Sequence, residues 1–130
     1  MSVVLSILGA VVILGVLIVI HELGHYGVAR ALGFRVDEFA VGFGPKILSK
    51  ERKGILYSLR AFPLGGYCRF HGEDQDKKDD PTAFNAQKPW KRFLVILGGS
   101  VMNIAFAYLL AVITLMSWGD FAAAVETVNA

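Results

Sequence analysis

Basic residues are missing from both ends of this 130-residue chain. All 13 lysines and arginines fall between Arg30 and Arg92. A basic start marks a secretory signal peptide. Its absence, an apolar run longer than such leaders carry, and the lack of a small-x-small cleavage site make the first segment read as a retained span. Cysteine is nearly absent too. The single Cys68 excludes an intrachain disulfide, agrees with a reducing environment, and reads as a small semi-buried side chain. Histidine is scarce at three residues, yet two of the three stand four apart.

Apolar residues are abundant. At 55% hydrophobic content, the chain carries two segments longer than the roughly 20 residues that cross a bilayer. One runs from about Val3 to Leu32 and the other from about Phe93 to Trp118. The fold class expected is membrane α-helical, with two transmembrane helices and a small membrane-associated β-hairpin or sheet between them. Residues 1–32 form the first span and 33–71 a hairpin region on the cytoplasmic side. Residues 72–92 form a charged loop and interfacial helix, 93–118 the second span, and 119–130 an extracytoplasmic tail. Arg30, Arg35, Lys88, Lys91 and Arg92 flank the spans, so the middle stretch is expected to face the cytoplasm, both termini to lie outside it, and the protein to sit in the cell membrane.

The first span ends in chemistry. His21-Glu22-Leu23-Gly24-His25 closes an apolar run, Val3 to Ile20, that contains no charge. Two imidazoles four residues apart share a helix face, the spacing that supplies two nitrogen ligands to zinc, and the intervening Glu22 can act as general acid/base. Ionisable groups inside a span are costly and mark function. At 1.5 Å per residue His21 lies about 27 Å from Val3, near the cytoplasmic edge, where water can arrive. On the helical wheel His21, His25, Val28 and Ala29 share one face, with Glu22 beside them. Gly24, Gly27 and Ala31 fall on another face, which is expected to admit a second helix.

Beyond Phe34 the period changes. Gly42-Phe43-Gly44-Pro45 breaks any helix. Ile47-Leu48, a charged turn from Ser49 to Gly54, and Ile55 to Phe62 read as a β-hairpin, followed by a bend at Pro63–Tyr67 and a last short strand from Cys68 to Phe70. The run from Glu73 to Asp80, nearly all charged, reads as a solvated loop, and His71 beside it as a surface residue. Asp79-Asp80-Pro81-Thr82 is expected to cap a short interfacial helix that Pro89 interrupts, with Phe84, Trp90 and Phe93 toward lipid and Lys88, Lys91 and Arg92 toward anionic headgroups. In the second span Gly99 and Asn103 lie one turn apart. Asn103 either bonds across helices or faces the metal site and donates to a substrate carbonyl.

These motifs together resemble the site-2 protease family of intramembrane metalloproteases, and within it the bacterial regulator of sigma-E protease group. The His21–His25 motif, the Gly42-Phe43-Gly44 loop, Pro63-Leu64-Gly65-Gly66-Tyr67, Ala83-Phe84-Asn85 and Gly99–Asn103 occur in the family's order, over about Val11 to Ala111. The resemblance implies an intramembrane zinc metalloendopeptidase that cleaves the transmembrane segment of a membrane protein, an anti-sigma factor for example. It implies Zn²⁺ on His21 and His25, Glu22 as acid/base, and substrate handling by Asn103 and, through a membrane-embedded hairpin, by Gly42 and Gly44. The third metal ligand is implied to be an Asp on a later span.

A catalytic zinc takes three protein ligands and a water, and only two stand here. Asp120 and Glu126 lie beyond the far end of the second span. The chain is therefore expected to be the amino-terminal fragment of a longer enzyme whose PDZ region and further spans follow, and to be inactive alone. The expected partners are a single-span membrane-protein substrate and the lipid bilayer, with no nucleic acid. A membrane metal or haem carrier, which has no need of Glu22, and a metal-free membrane scaffold are the competing readings.

Overall fold

The computed structural model describes residues 2–74 and 80–128, with side chains as far as Ser117. Helix α1 spans Ser2–Ala31, strand β1 Val36–Arg52, strand β2 Ile55–Phe70, a short 3-10 turn Phe84–Ala86, and helix α2 Pro89–Val128. Both helices are long and apolar enough to cross a membrane. The fold is the expected one, two membrane helices with a small antiparallel sheet between them.

Helix α1 ends where Gly33 adopts a φ of +82°, which only glycine takes without strain. Phe34 N–H then donates to Ala29 O at 2.9 Å and Gly33 N–H to Arg30 O at 3.3 Å, the paired bonds of a Schellman cap. The chain leaves in extended form directly into β1.

Strands β1 and β2 are long and bent rather than straight. Their tight turn is Lys53-Gly54, both at positive φ, shorter than the six-residue turn expected from the sequence. From there Arg52 pairs with Ile55 and the ladder runs back to Lys46 opposite Arg60. At the base Val36 pairs with Phe70, and Phe39 with Cys68. Because both strands bend between these ladders, Glu38 to Val41 gain a second set of partners, Leu56 to Leu59, advancing in the same sense. The two strands thus lay four runs side by side: 46–52, 55–60, 38–41 and 66–70. The bend in β1 is made by Gly42 at φ +87°, where a Cβ would stand 2.5 Å from the Phe62 carbonyl oxygen.

One buried carboxylate joins all four runs. Glu38, 1% exposed, accepts from Ser58 Oγ at 2.7 Å, Arg60 Nη2 at 2.9 Å and Arg69 Nη2 at 3.0 Å, with Lys46 Nζ at 3.8 Å. Burial alone would raise its pKa. The hydrogen bonds from Ser58 and Arg60, that with Tyr67, and the Lys46 charge outweigh burial and hold the carboxyl below its ordinary value. Arg60 also donates to Gly44 O at 2.8 Å and to the Tyr67 hydroxyl. Nothing in the hydrophobic pattern marked this residue.

A compact aromatic cluster joins the sheet's base to both helices. Phe34, Phe70 and Phe84 pack with centroids 5.0–6.4 Å apart, together with Ala29, Val36, Ile55 and Val95. On the other side Tyr26 and Tyr57 share a hydroxyl hydrogen bond of 2.9 Å, tying α1 to β2.

Three local expectations are corrected. No helix starts at Pro81: Asp80 spends its carboxylate on Thr82 N (2.8 Å) and Thr82 Oγ1 (2.7 Å), closing a turn on itself. Pro89 does not interrupt a helix but opens α2, where its missing N–H costs nothing. His71 is not a free surface group. Its Nδ1 lies 3.0 Å from Asp37 and its Nε2 3.0 Å from Asp80, pinning the segment after the sheet to the sheet's base. The thiol of Cys68 is pushed up to about 12, chiefly by burial and then by the charges of Glu22 and Glu73, which suits the inert role expected of it. The charged run expected as a loop lies largely outside the described residues. Helix α2 continues to Val128, through much of the segment assigned to a tail.

The helices meet through glycine. A Cβ at Gly24 would stand 2.7 Å from the Gly98 carbonyl carbon and 2.9 Å from Gly99 Cα, whereas one at Gly27 would meet nothing within 4 Å. The expected packing face therefore divides. Gly24 belongs with His21, His25 and Val28 in one i, i+3, i+4, i+7 stripe toward α2, and Gly27 lies away from it. Gly24→Ala should lower stability by about 1–3 kcal/mol through overpacking, while Gly27→Ala should leave it unchanged or slightly raised. Thermal unfolding of the two variants in detergent checks the contrast. Glu38→Ala strands the partly buried Arg60 guanidinium and should cost about 3 kcal/mol, read as faster proteolytic cleavage within the hairpin.

Candidate metal site

The closeness of α1 and α2 at Gly24 determines what lies on either side of it. One residue beyond Gly24, His25 directs Nδ1 to the Val95 carbonyl oxygen at 2.8 Å. Three residues before it, His21 has Nδ1 3.3 Å from Asn103 Nδ2. The two inner nitrogens, His21 Nε2 and His25 Nε2, stand 3.1 Å apart, the rings edge to face at 4.6 Å between centroids. Both imidazoles are half-buried.

Gly99 makes the floor of this pair. A Cβ there would lie 2.6 Å from His25 Nε2 and 2.8 Å from His21 Cε1, so any other residue would occupy the space between the rings. Asn103, one turn on, presents its amide to the same face, as its spacing from Gly99 predicts. Its Oδ1 is buried with no hydrogen-bond partner. Glu22 turns the other way, toward the sheet: a Cβ at Gly66 would come within 3.3 Å of Glu22 Cγ. The motif thus splits, with histidines on α2 and glutamate against the edge run 66–70.

The donor set fits a divalent metal of zinc's preference. Two imidazole nitrogens converge from one helix face, a side-chain-free floor lies beneath them, and an orphaned buried acceptor stands behind one ring. Among the described residues no group of three His, Cys, Asp or Glu comes together. Gly42 and Gly44 sit at the bend of β1, on the sheet rather than beside the imidazoles.

Two groups escaped the sequence reading. Val95 acts through its carbonyl, which no side-chain pattern can reveal. Gly99 was noted only as a neighbour of Asn103; its signal was a glycine one turn before a polar residue in a span.

The sequence profile of Peptidase family M50 matches residues 9–129. The chain belongs to this family. Among M50-like relatives, a protein of Clostridium acetobutylicum provisionally named a zinc metalloprotease is 44% identical over 114 residues, covering 88% of this chain and 33% of that protein. A similarly named protein of Synechocystis is 43% identical over 112 residues, with 84% and 31% covered. The chloroplastic membrane metalloprotease ARASP of Arabidopsis thaliana is 37% identical over 117 residues, with 88% and 26% covered. The chain therefore spans about a third or less of the length of these relatives. The site-2 protease resemblance seen in the motifs is the relationship the profile finds.

Gly99→Ala places a methyl group between the imidazoles. It should weaken binding of added Zn²⁺ by about 10- to 100-fold, as disturbed ligand surroundings do. Competition with a chromogenic chelator, against the unaltered protein, measures it.

Proposed function

We propose that this chain carries the nucleophile-activating part of an intramembrane zinc metalloprotease that cleaves membrane proteins within a single transmembrane segment, anti-sigma factors among them, in the cell membrane. The observation that carries the reading is the convergence of His21 and His25 Nε2 at 3.1 Å over Gly99, with Glu22 on the same turn of α1. His21 and His25 would hold the zinc, and a later span of the longer protein would add an Asp as third ligand, so that the 130 residues alone are inactive. When bound, zinc supplies a Lewis acid that polarises the scissile carbonyl and makes water acidic enough to attack near neutral pH.

The chain's own residues perform the remaining work. Glu22 takes the proton of the attacking water and delivers it to the leaving amine. Its packing against Gly66 puts the carboxylate beside the 66–70 run, an outer member of the sheet. A helical substrate hides its carbonyls in its own hydrogen bonds and must be unwound to be cut. Addition as a further strand along this outer run compensates the freed backbone groups, which the bilayer interior would leave unpaired. The bend at Gly42 and Gly44 shapes the sheet for that pairing, and Asn103 completes the polar wall of the site. Its confinement of Lys and Arg to the middle stretch supports a cytoplasmic sheet with both helix far ends outside.

Glu22→Gln removes the base and leaves the imidazoles untouched. The full-length variant should retain zinc while cleavage of a model transmembrane substrate falls by about 10²–10⁴-fold. Cleavage at the wild-type rate would refute the assignment, and would favour a carrier of metal that needs no base.

A further inference from the structure

We infer that Asn103 is a positioning residue for His21, its amide holding the ring by the nitrogen opposite the one that would bind the metal. The inference rests on the reading of His21 and His25 as ligands.

The tautomers follow from the acceptors. The Val95 carbonyl can only accept, so His25 carries its proton on Nδ1 and has a lone pair on Nε2. His21 directs its own Nε2 to the same point, 3.1 Å away. Ligation through that nitrogen leaves the His21 proton on Nδ1, where it needs an acceptor. The Asn103 amide stands 3.3 Å from that Nδ1 and carries in Oδ1, buried and without another partner, the acceptor it needs.

That oxygen is the one acceptor on the amide, so a side chain that keeps an acceptor at this point keeps His21 in place. His25 needs no such side chain, because its Nδ1 faces a backbone carbonyl. The same Oδ1 cannot also serve a substrate while it holds His21.

Zinc dissociation constants, measured by competition with a chromogenic chelator on full-length protein in detergent, test this. Asn103→Leu should weaken zinc about 10- to 100-fold. Asn103→Asp, which keeps the acceptor, should bind zinc near the wild-type level. Asn103→Ser, too short to reach Nδ1, replaces the leucine variant if that fails to fold, with the same expectation. Wild-type zinc affinity in Asn103→Leu with a raised KM would overturn the inference in favour of substrate contact. Asn103→Asp binding zinc as weakly as Asn103→Leu would also overturn it. His21→Ala separates the premises. Unchanged zinc content there refutes the metal site itself, whereas zinc lost there but unaffected in Asn103→Leu refutes only the role of Asn103.

Discussion

At Gly24 the backbones of α1 and α2 come into contact without a side chain between them, the Gly98 carbonyl and Gly99 Cα occupying the place a Cβ would take. Lipid tails are as apolar as the helices, so burial of apolar surface adds little to helix pairing in a bilayer, and close packing of small residues has to supply it. The same approach distance sets the chemistry. A hydrogen bond from His25 to a backbone carbonyl of α2 is possible only when the helices are this close. So is the meeting of Asn103 with His21. Separating the helices by even one methyl group would break the outer supports of both rings.

The second constraint is electrostatic and lies in the sheet. Four runs of chain must stay in register at a site that the sequence places near the membrane, where loose backbone groups are costly. Glu38 meets this need by accepting from two other runs, through Ser58, Arg60 and Arg69, and pairing with Lys46 of the third. A buried carboxylate would ordinarily be a liability. Here every neighbour that reaches it is a donor, and two of its guanidinium partners keep solvent contact on their outer sides. The bends that let Glu38 to Val41 pair on both sides bring the 66–70 run beside Glu22, so the sheet's geometry bears directly on the candidate site.

Much of this was legible in the sequence because it depends on local periodicity. The two spans follow from run length, the imidazole pair from i, i+4 spacing, and the shared face of Gly99 and Asn103 from the same rule. The hairpin segments were legible as alternation bounded by glycine and proline. What escaped depends on contacts between distant segments. Gly24 and Gly27 look equivalent on a wheel, and only the position of α2 separates them. Glu38 looks like any surface acid until Ser58, Arg60 and Arg69 surround it. His71 looked free because its partners, Asp37 and Asp80, lie far away along the chain in one case and in a charged run in the other. The role of Val95 was invisible in principle, since a carbonyl is common to every residue.

The support for the imidazole pair comes from α2. On their inner sides the two rings hydrogen-bond, among the described residues, only to each other, so their outer nitrogens carry the positioning. Free imidazoles would sample other rotamers, and each would lose that freedom on binding. Fixing both outer nitrogens from the adjacent helix removes that loss in advance. It also keeps Glu22 free, because the rings face α2 while the carboxylate one residue along faces the sheet. One helical turn thus presents two imidazoles toward α2 and the neighbouring carboxylate toward the sheet.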